Sequence, residues 1–154
     1  MKLFFLTSIT AIFMFFQNIS VNELRANYPK SISSKETCKK MIDDLSKEKL
    51  NVVEKGYYGA YLAIWANHVW NPMDKLSTFK KGKTELENAI KEDPNNVELR
   101  FLRLSIQSNI PGILNYKQNI KSDLAFIKDH KNEIKSNQLL NMVNELITKV
   151  EKSD

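Results

Sequence analysis

Hydrophobic residues recur with the period of an α-helix from about residue 33 to residue 152. Cys38, Met41, Ile42 and Leu45, for example, fall at i, i+3, i+4 and i+7, which is the spacing of one helix face. No alternating strand pattern follows residue 20. We therefore predict an all-α chain, with a single helical bundle of five to six helices over residues 33–152. The predicted helices cover residues 33–49, 52–70, 72–92, 96–108, 115–128 and 136–149.

Caps and prolines set several of these bounds. Ser33, followed three residues later by Glu36, has the pattern of a capping box, in which side chains bond free amides of the first helical turn. Pro72 favours a break after the second helix, because the residue before a proline is pushed out of the helical region. The corner at Asp93-Pro94 ends the third predicted helix.

The segment GKTELENAIKEDPNN, residues 82–96, resembles the second helix and exit turn of a tetratricopeptide repeat. The residues that carry the resemblance are Gly82, Leu86, Ala89, Ile90, Asp93 and Pro94. The resemblance implies a tetratricopeptide-like helix-turn-helix at the centre of the bundle. Downstream the pattern departs at Arg100, Arg103 and Leu104, and no second Asp-Pro corner follows. A regular array of repeats is therefore not expected.

Longer stretches resemble a family of small exported helical proteins of Bacteroidetes type. The stretches that carry this resemblance are YYGAYLAIWA, NPMDKLSTFKKGK, DPNNVELRFLRLSIQSNIP and ILNY. The resemblance implies a helical fold and export, and it implies no activity.

The N-terminal segment has the features of an export signal. Lys2 precedes an uncharged apolar run from Leu3 to Phe16, whose length as a helix is about 21 Å, short of the roughly 30 Å hydrocarbon core of a bilayer. We predict a signal peptide over residues 1–20, cut near Ser20/Val21, with an uncleaved anchor as the alternative. Residues 21–32 are polar and show no period, so they are predicted to be a flexible lead-in. The expected location is the periplasm or cell envelope.

Composition excludes several classes of function. The net charge of +5 comes from lysines scattered among acidic residues, with no basic stripe, so nucleic-acid binding is not expected. Cys38 is the single cysteine, which rules out an intrachain disulfide, and its helix-face spacing favours a buried apolar residue over a reactive thiol. His68 and His130 lie far apart without metal-ligand spacing, so no metal or cofactor is expected. A histidine-assisted nucleophile stays open, but no catalytic constellation supports an enzyme.

The second predicted helix offers one candidate binding surface. Its small residues, Gly56, Ala60, Ala63 and Asn67, form a stripe that suits close approach of a neighbouring helix. Its large aromatic residues include Tyr57, Tyr61 and Trp65. These three residues are either core side chains with polar tips or the lining of an aromatic groove.

The fourth predicted helix offers the other candidate. Arg100, Arg103 and Gln107 share one face of an otherwise apolar helix, and a buried guanidinium requires an anionic partner. One alternative is internal pairing with an acid of a neighbouring helix, and the other is an external anionic ligand or a partner's carboxylate. The acids available for internal pairing are Glu54, Asp74, Glu85 and Asp123.

We therefore expect an exported, non-enzymatic interaction or scaffold protein of the bacterial periplasm or envelope. Its expected partner is a protein, and membrane contact is expected only through the N-terminal segment if that segment stays uncleaved. The alternative function is a small anionic-ligand or peptide-carboxylate binding protein that uses the arginine face.

Overall fold

The computed structural model describes residues 19–47 and 49–153. Within these ranges the chain forms seven α-helices and two short 3-10 helices, Gly112–Leu114 and Lys131–Glu133, and no strand, so the all-α prediction is confirmed. The prediction of five to six helices was one too few. The α-helices are α1 Val21–Ser31, α2 Lys35–Leu45, α3 Val52–His68, α4 Pro72–Glu92, α5 Val97–Asn109, α6 Ile120–His130 and α7 Asn137–Glu151.

The additional helix is α1, so the prediction of a flexible lead-in over residues 21–32 was wrong. Ser20 caps α1 by accepting a hydrogen bond from the Glu23 amide, and Leu24 and Tyr28 are buried. These two large core residues are too few to produce a visible helical period in the sequence. The helix is held by its contacts with the bundle, as most short helices are. The helical bundle therefore begins before residue 33.

Helix α3 lies at the centre and packs against α1, α2, α4 and α5. The Tyr61 hydroxyl donates to the Leu24 carbonyl, at 2.7 Å, and His68 Nε2 lies 2.8 Å from the Ser31 carbonyl oxygen. Leu24 precedes Ser31 in α1, and their partners Tyr61 and His68 follow the same order in α3. The two helices therefore run parallel. Their exits, the α1–α2 and α3–α4 connections, consequently lie at the same end of the bundle.

The closest helix packing in the described chain joins α3 to α4. A Cβ atom added to Gly59 would lie 2.5 Å from the Leu86 amide nitrogen, and one added to Gly82 would lie 2.6 Å from the Ala63 nitrogen. Only glycine at both positions allows the two backbones to approach this closely. Gly56 was predicted to be the first member of the stripe of small residues, but in the structure it faces Leu99 of α5.

Predicted and observed helix bounds agree best where proline marks them. The helix predicted over residues 72–92 has these limits in the structure. The first predicted helix is capped by Ser34 rather than Ser33 and ends at Leu45 rather than residue 49. Helix α6 begins at Ile120 rather than residue 115, because the chain after Pro111 first makes a 3-10 turn that closes with Asn115 at a φ of 46°.

Cys38 is fully buried, as its helix-face spacing predicted. Its thiol donates to the Tyr61 carbonyl oxygen, with a sulfur–oxygen distance of 3.4 Å. Burial raises the pKa of the Cys38 thiol from 9.0 to about 12. The neutral, apolar form of the side chain is therefore the stable one in the fold.

Candidate functional site

The predicted arginine face is closed by an internal carboxylate. Arg103 bonds Asp123 with both ends of its fork, Nε to Oδ2 and Nη2 to Oδ1, each at 2.7 Å. Its third nitrogen, Nη1, bonds Glu87 Oε2 at 3.0 Å. Burial alone would lower the pKa of Arg103, but the hydrogen bonds and negative charges of Asp123 and Glu87 outweigh it and raise that pKa. Arg103 is therefore a structural cation that joins α4, α5 and α6.

Arg100 and Gln107 complete the attachment of α6 to α5. Arg100 Nη1 bonds Asp123 Oδ1 at 3.1 Å, while its Nε and Nη2 both donate to the Pro94 carbonyl oxygen. Gln107 Oε1 accepts from the backbone amide of Asn119 at 3.1 Å, and Gln107 Nε2 donates to the Asn119 side chain. All three face residues thus bond groups of this chain. Of the four acids considered from the sequence, Asp123 is the partner.

Glu87 and Tyr116 belong to the same cluster, although the sequence did not single them out. The Tyr116 hydroxyl donates to Glu87 Oε1, opposite the oxygen that Arg103 bonds. Burial, followed by the hydrogen bond and charge of Glu87, raises the pKa of Tyr116. No local pattern distinguishes Glu87 from the other acids of α4, so only the packing of α4 against α5 could have identified it.

The space that an aromatic groove would need, one of the two alternatives for these residues, is filled by α1. Tyr57 and Tyr61 are fully buried, and Tyr28 of α1 packs edge-on against both rings, with centroid distances of 5.8 Å and 5.9 Å. The Tyr28 hydroxyl donates to Ser105 of α5 at 3.1 Å. The tyrosines are therefore core residues whose polar tips are satisfied, which is the first of the two alternatives drawn from the sequence.

An ion pair fixes α1 at the same level. Arg25 binds Glu98 through Nε at 2.7 Å and Nη2 at 2.6 Å, and Tyr57 donates to Glu98 Oε1 at 2.8 Å. The hydrogen bond that Arg25 donates to Glu98 is the largest influence on the pKa of Arg25 and raises it despite partial burial. Burial first, and then the charge of Glu98, raises the pKa of Tyr57. These contacts explain why a polar segment such as α1 is ordered.

Trp65 does not join the tyrosine cluster. Its half-buried ring faces α2, where Lys35 Nζ lies 5.5 Å from the ring centroid, and its other neighbour is His68, with a centroid distance of 5.8 Å. The structure thus divides the three aromatic candidates between the core and the α2 side of the bundle.

The buried polar atoms of the described side chains are all hydrogen-bonded. Within residues 19–47 and 49–153, every fully buried side-chain nitrogen or oxygen has a hydrogen-bond partner. The same part of the chain holds no group of three or more His, Cys, Asp or Glu residues arranged to bind a metal ion. His68 and His130 each lie against a backbone carbonyl oxygen, those of Ser31 and Phe126.

The exposed hydrophobic residues, by contrast, gather at one end of the bundle. The large apolar residues with high exposure are Ile32 at 60%, Trp70 at 99%, Met73 at 75%, Leu76 at 37% and Ile113 at 92%. They lie in the α1–α2 connection, in and after the α3–α4 connection, and in the α5–α6 connection. We call these five residues the apolar end. Single exposed hydrophobics are ordinary, but a cluster of them marks an interaction surface.

A groove of about 500 Å³ opens within the apolar end. Its walls are Ala63 and Ala66 of α3, Leu76 and Phe79 of α4, and Ile110 and Leu114 after α5. These shared walls place the α5–α6 connection beside the start of α4, at the end where α3 exits. Lys75 is the charged member of the lining. The groove is thus an apolar concavity bordered by protruding apolar residues.

Comparison with protein-family models, with characterised proteins and with solved structures finds no match for this chain. Among the described residues, no helix combines the length and the apolar character needed to cross a membrane. The fold and the surface therefore define the chain at the level of class: an all-α helical protein whose buried charges pair internally and whose exposed apolar residues share one end.

Proposed function

We propose that this chain is an exported, non-enzymatic interaction protein of the bacterial periplasm or envelope that binds through the apolar end. The observation that carries the proposal is that Trp70, Met73 and Ile113, each at least three-quarters exposed, share one end of the bundle. They lie in the α3–α4 connection, the first turn of α4 and the α5–α6 connection. Leaving such residues in water forgoes roughly 1.5–3 kcal/mol of burial energy for each side chain. A binding partner that covers them recovers that energy.

The arginine face is a weaker candidate for the binding surface than the apolar end. An external anion would have to replace Asp123 at Arg103, leaving a carboxylate with no exposure paired with Arg100 alone. Breaking a buried ion pair in this way costs about 3–5 kcal/mol. The apolar end, which needs no internal bond to break, is the better candidate for binding.

The packing of α3 on α4 supports the proposed tetratricopeptide-like centre. In such repeats, small residues let paired helices approach closely, and proline enforces the exit turn. Gly59 and Gly82 occupy the contact between the helices, and Pro94 follows the end of α4. We propose that α3 and α4 form one repeat-like pair within an irregular bundle.

Export rests on the predicted signal segment, of which residues 1–18 lie outside the described residues. The proposed cut after Ser20 would remove the cap of α1 and Ile19, which is buried. This cost gives the uncleaved-anchor alternative a structural argument.

The proposal is tested by sedimenting the exported protein with bacterial envelope. We expect the wild type to be retained and a Trp70→Ser/Ile113→Ser variant to be released. A Lys39→Ser/Lys47→Ser variant, altered at exposed positions within α2 and just after it, serves as the control and should be retained. Equal retention of all three proteins, or of none, would contradict binding through the apolar end.

A further inference from the structure

The most exposed residues of the apolar end protrude beside the groove or at its rim. Trp70 leaves 99% of its surface in water and does not line the groove, while Ile113 borders the groove and leaves 92% of its surface in water. A peptide partner is usually gripped by pockets, whereas the interface of a bilayer receives protruding tryptophan and aliphatic side chains.

Basic residues surround the protruding ones. The exposed lysines in or beside the three connections of this end are Lys30, Lys35, Lys75, Lys117 and Lys121. The exposed acids beside them are Glu36 and Asp74. Five lysines minus two acids leave an excess of three positive charges, which complements an anionic lipid surface.

The opposite end of the bundle lacks this combination. Among the described residues, the α2–α3, α4–α5 and α6–α7 connections contain no large hydrophobic residue that is highly exposed. The apolar residues therefore define a direction along the bundle. Docking through them would set the helices end-on to a surface, with Ile19 on the far side, about 25 Å away along the 17 residues of α3.

We infer that the apolar end docks on an anionic lipid surface, with Trp70, Met73 and Ile113 entering the headgroup region and the lysines bonding lipid phosphates. This inference rests on the proposed function and names its partner. It departs from the expectation of a protein partner and of membrane contact through the N-terminal segment alone. A second copy of the chain is disfavoured as the occupant, because end-to-end pairing would bring two positively charged ends together.

The chain provides a local probe of this contact. It contains two tryptophans, so Trp65→Phe leaves Trp70 as the sole emitter. The exported protein with this substitution is mixed with vesicles of phosphatidylglycerol and phosphatidylcholine in equal parts. We expect Trp70 emission to shift to shorter wavelength and to be quenched by lipids brominated on their acyl chains. An unshifted, unquenched emission would overturn the inference. The signal comes from Trp70 and therefore reports on the apolar end, whereas Ile19, the first described residue, lies at the far end.

One apolar variant and one matched pair of lysine variants separate the apolar and electrostatic contributions. Ile113→Ser should weaken vesicle binding about tenfold, corresponding to one buried side chain. Lys75→Gln/Lys117→Gln should weaken binding to anionic vesicles, while Lys47→Gln/Lys131→Gln, with the same change in charge at the other end, should not. Equal effects of the two lysine pairs would overturn the proposed orientation. Circular dichroism of each variant establishes that the fold is intact.

The outcomes distinguish this inference from the function on which it rests. If native envelope retains the protein through the apolar end but lipid vesicles do not bind it, lipid docking is overturned and the partner is a protein. A second outcome is that the protein forms concentration-dependent dimers, which Ile113→Ser abolishes, and does not bind vesicles. That result would identify a second copy as the occupant of the apolar end and would also overturn lipid docking. Failure of both envelope and vesicle binding would overturn the proposed function as well.

Discussion

Arg103 and Asp123 form a bidentate ion pair between α5 and α6, with two nitrogen–oxygen distances of 2.7 Å. Both side chains are almost inaccessible to water. The most conspicuous charge pattern in the sequence therefore has a structural role. The exposed residues of the apolar end are the better candidates for binding.

Replacing Arg103 should destabilise the fold severely. Arg103→Ala leaves the Asp123 carboxylate buried with Arg100 as its remaining cation, and we expect the free energy of unfolding to fall by about 3–5 kcal/mol. Arg100→Ala should cost less, because the Arg100 side chain is 22% exposed and the Arg103–Asp123 fork survives. Urea denaturation of the two variants measures the difference. A smaller loss for Arg103→Ala than for Arg100→Ala would contradict this account.

The contact between α3 and α4 makes a second prediction. Gly59→Ala and Gly82→Ala should each lower stability by about 1–3 kcal/mol, because the new methyl group meets backbone atoms that cannot move aside. Gly56→Ala should cost less, since its nearest neighbour is the movable end of the Leu99 side chain. Gly112→Ala is the matched control, with no atom within 4 Å of the new Cβ. Thermal unfolding that shows equal losses at Gly59 and Gly112 would contradict the packing.

Helix α1 can be tested through Tyr28. Tyr28→Ala removes a buried ring that packs on three others, and we expect a loss of about 3–5 kcal/mol in the free energy of unfolding. The control is Lys30→Ala, at an exposed position of the same helix, which should change stability by less than about 0.5 kcal/mol. If residues 21–32 were a flexible lead-in, the two substitutions would have the same small effect.

Alkaline conditions should weaken the fold in part through Cys38. Its pKa is 9.0 when exposed and about 12 in the fold, so above pH 9 the unfolded chain loses a proton that the folded chain keeps. The stabilisation is complete below pH 9 and is lost progressively between pH 9 and about 12. Urea midpoints measured from pH 7 to pH 11 should fall less steeply for Cys38→Ala than for the wild type. Identical slopes would show that the thiol does not contribute.

Local sequence signals predicted much of the fold. The limits of α4 follow from Pro72 and from the Asp93-Pro94 corner, each of which acts on its immediate neighbours. Helix α1 was missed because its order depends on distant residues: Arg25 is held by Glu98, and the Leu24 carbonyl is held by Tyr61. Such contacts leave no period in the segment itself.

The candidate site, like the fold, could be predicted from the sequence only in part. An acid opposite Arg103 followed from the cost of burying a lone guanidinium, but the choice of Asp123 depends on the antiparallel register of α5 and α6. The apolar end was not predicted, because the sequence placed Trp70 at the end of a helix and Ile113 in a separate loop. They share one end only because successive helices alternate in direction.

Thiol labelling at position 113 tests the central claim most directly. Because Cys38 is buried and keeps its proton, Ile113→Cys introduces a single reactive thiol into the described chain. We expect isolated bacterial envelope to slow the reaction of this thiol with maleimide at least about tenfold, while a Lys47→Cys control at the opposite end reacts at an unchanged rate. Equal labelling rates at position 113 with and without envelope would contradict an interaction through the apolar end.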